Sequence, residues 1–109
     1  MRFELTILGS GSALPTSNRN TTAQVLNVLE RFFLIDCGEG TQMQLRKHKF
    51  AFNHIDHICI SHLHGDHYFG LFGLLSSMAM LDRKRPLNIY APLKLKEFLN
   101  MLVVPDFES

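Results

Sequence analysis

The chain has 109 residues, 46% of them hydrophobic, with nine Phe, no Trp and a formal net charge of +1. That length suits one domain with a modest core, and the composition excludes a disordered chain. The near-neutral balance provides no overall field for nucleic acid or an anionic membrane surface, although a local basic patch would be enough to bind nucleic acid.

Phe3 to Leu8 is rich in strand formers and stops at Gly9-Ser10-Gly11-Ser12. No helical pattern follows to lend its dipole, so the glycine run reads as a tight turn rather than a phosphate cradle. Ala23 to Leu29 and Arg31 to Ile35 form a predicted hairpin with a tight connection near Glu30. Asp36-Cys37-Gly38-Glu39-Gly40 ends it, and Thr41 to Lys49 carries helix formers. Ile55 to Ile60 is a short strand feeding a histidine-rich loop. Beyond that loop Phe69, Leu71, Leu74, Leu75, Met78 and Leu81 recur at helical spacing, which predicts a helix to about Asp82 with these residues in the core. Arg83-Lys84-Arg85-Pro86 closes it, Leu87 to Tyr90 makes another strand, and Pro92 to Leu102 is helical in pattern. Val103 to Phe107 then starts a further apolar segment close to Ser109, so the chain is expected to be the N-terminal part of a longer protein.

Strands alternate with helices, an α/β pattern, and the reactive loop follows the C-terminal end of a strand, where ligand sites of α/β folds gather. Cys37 and Cys59 lie in apolar, strand-like runs and read as buried free thiols of a reducing compartment. Met1-Arg2-Phe3-Glu4 lacks a signal-peptide pattern, and no apolar run approaches a membrane span. The expected location is the cytoplasm, with no membrane partner.

The loop is His62-Leu63-His64-Gly65-Asp66-His67. Imidazole nitrogens and carboxylate oxygens are ligands that zinc and similar divalent ions accept. In an extended segment residues two apart face the same way, so His62 and His64 can grip one ion. Gly65 lets the chain turn, and Asp66 with His67 then forms a second pair for a neighbouring ion. Asp66 has a plainer alternative as the cap of the following helix. Two ions need more protein ligands than these four, so the remainder either lies beyond Ser109 or the site is half built. His48 sits in a basic helical end, Arg46-Lys47-His48-Lys49, and His54 and His57 read as surface residues ahead of a strand.

The loop resembles the signature of the metallo-β-lactamase superfamily, an αββα sandwich binding one or two metals. Its surroundings resemble the N-terminal half of ribonuclease Z: Leu8-Gly9-Ser10-Gly11-Ser12-Ala13, Pro15 to Asn20, Phe33 through Gln42, Gln44-Leu45-Arg46, Ile60-Ser61, Phe69-Gly70-Leu71, Gly73-Leu74-Leu75 and Leu87 through Pro92. The similarity covers nearly the whole chain in register. It implies the N-terminal half of a metallo-β-lactamase-type sandwich and a zinc-dependent endoribonuclease that removes 3′ trailers from precursor tRNA. It also implies a homodimer and two zinc ions per complete site. His62 and His64 would hold the first zinc, and Asp66 and His67 the second, with Asp66 also the proton acceptor. A further His, a bridging Asp and a final His are expected beyond Ser109, and the 109 residues alone are expected to be inactive.

Asp36 matches the superfamily's first motif, which orders the metal loop and binds no ion. A carboxylate there can fix an imidazole's tautomer, and a strand-end turn residue is the equal alternative. Arg19 and Asn20 are candidate tRNA contacts in the Pro15 to Asn20 loop, where Ser17 stands in place of the family's lysine. Phe72 stands where many members have Pro. Arg83-Lys84-Arg85 reads first as a solvated helix end and second as a contact to tRNA backbone. Two other readings compete with the nuclease: a small-molecule phosphodiesterase or other hydrolase of the same fold, and a non-catalytic fragment that folds with a second copy or another partner.

Overall fold

The computed structural model describes residues 3–9, 22–61, 67–101 and 107–108. Strands β1 (Phe3–Gly9), β2 (Ala23–Val28) and β3 (Arg31–Ile35) pair antiparallel, and β4 (Ile55–Cys59), β5 (Leu87–Tyr90) and β6 (Phe107–Glu108) continue the sheet in parallel, in chain order. The parallel steps follow from the crossovers: helix α1 (Thr41–Lys47) separates β3 from β4, α2 (Leu71–Met80) separates β4 from β5, and α3 (Leu93–Met101) separates β5 from β6. The expected α/β class is what the chain adopts.

The β2–β3 hairpin turns on Leu29 and Glu30, with φ of 54° and 65°. Two successive left-handed residues match the twist of the flanking strands, and here neither is glycine. The Asn27 side-chain oxygen accepts from the Glu30 N–H at 2.8 Å and steadies the turn.

Helices α1 and α2 stop by one device. Lys49 (φ 63°) and Asp82 (φ 61°) adopt the left-handed conformation just past the helix ends. The Phe50 N–H then donates to Leu45 O at 2.8 Å, and the Arg83 N–H to Met78 O at 3.2 Å. Both are Schellman closures, normally signalled by glycine. Helix α1 therefore ends at Lys47, short of the expected Lys49, and α2 ends at Met80.

One face of the sheet carries Leu8, Val25, Leu34, Ile58 and Ile89, which join Leu45, Leu71, Leu74, Leu75, Met78, Leu95 and Leu99 of the helices in a single core. The i, i+3, i+4 rhythm of α2 accounts for its share. Phe69 and Leu81 do not join it; both are exposed, because they lie just outside α2 where the helical spacing no longer governs direction.

The opposite face is also apolar. Phe3, Leu5 and Ile7 are exposed, and Leu26, Phe33, Ile35, His57 and Cys59 are half-buried beside them. Register aligns Leu5, Leu26, Phe33 and His57 across four strands. His57 therefore lies within β4 rather than ahead of it. Its ring stacks on Phe33 at 4.4 Å, with Tyr90 at 6.0 Å on β5. His54 is exposed in a 3-10 turn, and His48 is exposed at the end of α1.

The basic run after α2 is not a solvated end throughout. The Arg83 side chain is only 5% exposed. Its guanidinium donates to Ile55 O at 2.9 Å, Pro86 O at 3.0 Å and the Asp56 carboxylate at 2.8 Å, tying the α2–β5 connection to the start of β4. Lys84 does reach solvent, whereas Arg85 donates to Asn53 O and pairs with Asp56 at 3.0 Å.

Candidate metal centre

His62, His64 and Asp66 lie outside the described residues, as do Arg19 and Asn20. Among the described residues no cluster of three or more His, Cys, Asp or Glu could hold a metal ion. The two ends of the loop are described, and they meet. Ser61 lies two residues past the end of β4 at Cys59, and His67 opens the turn into α2.

Both contact Asp36. At the end of β3 the chain must leave the sheet, and Asp36 makes that bend with φ 62°, a conformation Asp tolerates better than most side chains. Its N–H donates to Cys59 O at 2.7 Å, which holds it beside the end of β4. The carboxylate is buried, and its desolvation is offset by hydrogen bonds. The Ser61 N–H donates to Oδ1 at 2.8 Å, the Ser61 hydroxyl lies 3.0 and 2.9 Å from the two oxygens, and His67 Nδ1 lies 2.9 Å from Oδ2. A carboxylate accepts, so the proton in this contact sits on Nδ1, and the neutral ring of that tautomer carries its lone pair on Nε2. Asp36 is thus both a strand-end turn residue and an imidazole's partner.

The backbone reinforces this closure. The Cys37 N–H donates to His67 O at 2.7 Å, and the Gly70 N–H donates to Cys37 O at 2.8 Å. At Gly70 a Cβ would stand 2.2 Å from Gly38 O, a backbone atom that cannot step aside. Gly70 therefore permits the close approach of the turn after His67 to the Asp36–Gly38 segment. The Thr41 hydroxyl donates to Gly38 O at 2.6 Å and pins the same segment to the start of α1.

Both thiols lie close to this carboxylate. Burial pushes the Cys37 thiol up to about 12, with the Asp36 charge adding to the rise and a hydrogen bond with Thr41 opposing it. Burial and the same charge also raise Cys59. Both are free cysteines. Cys37 is buried as expected, whereas Cys59, expected to be buried, is only half-buried because it faces the open side of the sheet. A protonated thiol is a poor nucleophile and a poor metal ligand. Sequence reading assigns Ser61 no role; the signal available was a hydroxyl residue immediately ahead of His62.

A family model described as Anti-Pycsar protein Apyc1 matches residues 3–103. This chain belongs to that family. Sequence relatives of this Apyc1-family chain carry the name Ribonuclease Z. That of Bacteroides fragilis is 53% identical over 102 residues, 94% of this chain and 34% of the relative, and that of Clostridium tetani is 48% identical over 102 residues. The chain spans about a third of the length of the curated relatives it matches. Among solved structures it superposes on human tRNase Z, short form, with TM-score 0.82 and 39% identity, over 95% of this chain and 42% of that one. The metallo-β-lactamase fold protein YhfI of Bacillus subtilis matches with TM-score 0.82 over 97% of this chain and 43% of that one; at 20% identity this likeness concerns the fold alone. The expected kinship with ribonuclease Z and with the metallo-β-lactamase fold therefore holds, and the described strands and helices form an α/β half of that fold.

Proposed function

We propose that this chain is the N-terminal part of a zinc-dependent endoribonuclease of the ribonuclease Z type, which removes 3′ trailers from precursor tRNA in the cytoplasm. The observation that carries the reading is 53% identity to a ribonuclease Z across nearly the whole chain. The hydrogen bond from His67 Nδ1 to Asp36 supports it, because that bond presents Nε2 as a ligand nitrogen, the tautomer a metal site needs. His62 and His64 hold one zinc and Asp66 and His67 the other, with the remaining ligands supplied from outside these 109 residues. When bound, the two ions supply an acidified water and neutralise charge on the phosphoryl oxygens. Asp66 orients the attacking water and takes its proton. Asp36 holds His67 in place from behind. Arg19 and Asn20 contact the tRNA, and the products are a tRNA 3′-hydroxyl and a 5′-phosphorylated trailer. The full-length protein acts as a homodimer, and the 109 residues alone are inactive.

The family model's description favours keeping a second reading, a phosphodiesterase acting on small molecules, because it names a protein other than a ribonuclease Z. Offering the full-length protein precursor tRNA and a chromogenic phosphodiester side by side separates the two. Trailer removal should dominate, and Asp66→Ala should lower it by at least about 100-fold while weakening the second zinc. Wild-type turnover by Asp66→Ala would sink the assignment, and preference for the chromogenic ester would favour the second reading.

A further inference from the structure

The carboxylate of Asp36 is gripped from both ends of the metal loop, and the grip at the Ser61 end is doubled. The Ser61 N–H already donates to Oδ1 at 2.8 Å. The hydroxyl adds a second hold, 3.0 Å from Oδ1 and 2.9 Å from Oδ2, and it also lies 3.3 Å from His67 Nδ1. A hydroxyl has one proton and two lone pairs. It can donate to the carboxylate while accepting part of the Nδ1–H that Oδ2 receives at 2.9 Å. Serine oxygen, carboxylate and imidazole nitrogen thus close a triangle. The backbone N–H alone fixes one oxygen; the hydroxyl fixes the rotation of the carboxylate about its own axis, and with it the plane of the ring.

We propose that Ser61 is a positioning residue, whose hydroxyl sets the orientation and tautomer of His67 through Asp36 and so tunes the zinc ion that His67 would hold. The inference rests on the zinc-site reading above. In this role Ser61 acts only through Asp36 and His67.

The test uses the full-length protein with Ser61→Ala and Ser61→Thr, read by chelator competition for zinc and by ¹⁵N NMR of the His67 ring in the metal-free protein. Ser61→Ala should weaken the second zinc equivalent by about 10-fold, at the lower end of what loss of a ligand's outer partner costs. It should also shift the ring from a pure Nδ1–H tautomer to a mixture. Ser61→Thr keeps the hydroxyl and should stay within about twofold of wild type in zinc affinity, with an unchanged ring spectrum. Wild-type zinc affinity and an unaltered spectrum in Ser61→Ala would overturn the proposal, as would an equal loss in Ser61→Thr. The outcomes separate this from the nuclease reading. A wild-type protein that binds zinc, weakens with Ser61→Ala and leaves precursor tRNA intact refutes the nuclease and supports the positioning role. One that trims tRNA while Ser61→Ala binds zinc as wild type does refutes only the positioning role.

Discussion

The two faces of this sheet carry similar side chains and meet different fates. On one, Leu34, Ile58 and Ile89 are covered by the helices and almost fully buried. On the other, Phe3, Leu5 and Ile7 stand exposed and Phe33, His57 and Tyr90 stack across three strands. Strands that are apolar on both faces belong in the middle of a layered fold, with something packed on each side. The difference teaches that strand composition reports how many layers a sheet is meant to have, whereas burial reports how many the described residues supply.

The comparison predicts unequal responses to truncation. Leu34→Ala, on the covered face, should destabilise the chain by about 2–5 kcal/mol in a urea titration, whereas Leu5→Ala on the open face should cost under about 1 kcal/mol. Equal losses would mean that the open face is covered in solution. A smaller effect belongs to the rim between the helices and β4. Arg83→Ala removes the donor from the part-buried Ile55 carbonyl and from part of the Asp56 carboxylate, for about 1–3 kcal/mol, and Arg83→Lys should recover little because one ammonium cannot span three acceptors. Full rescue by lysine would show that charge rather than the planar fork matters.

A further effect is absent at neutral pH and appears only in alkali. Cys37 is raised from 9.0 to about 12, so between those values the folded chain holds a proton that the unfolded chain has lost. Stability from this group is complete below about pH 9 and declines as pH rises toward 12. Melting curves across that range should fall more steeply for wild type than for Cys37→Ala. On the open face Cys59 is raised too but is only half-buried, so a thiol reagent at pH 8 should label it well before Cys37.

Patterns that are local in the chain were legible without coordinates. The hairpin of β2 and β3, the strand feeding the histidine loop and the apolar rhythm of α2 all follow from residues within a few positions of one another. Long side chains that reach across the fold were not. Arg83 looks like any charge at a helix end until its guanidinium is seen on Ile55 and Asp56, 28 and 27 residues earlier. His57 looks like a plain surface residue until the register places its ring between Phe33 and Tyr90. The left-handed closures at Lys49 and Asp82 carry no glycine to announce them. At the candidate site Asp36 and the histidines were legible as residue types in a pattern. The contact of Ser61 with Asp36 spans 25 residues and depends on the parallel pairing of β3 with β4, which no short window contains.

Among the described residues strand β1 lies at the edge of the sheet, with Phe3, Leu5 and Ile7 exposed on its open face. An edge strand with an apolar, uncharged stripe is a template for another strand, and natural proteins usually blunt such edges with charge, proline or a covering element. Handled alone, the 109-residue chain should therefore be sticky before it is unstable. Its colloidal behaviour, more than its melting temperature, would set the concentration at which it can be studied.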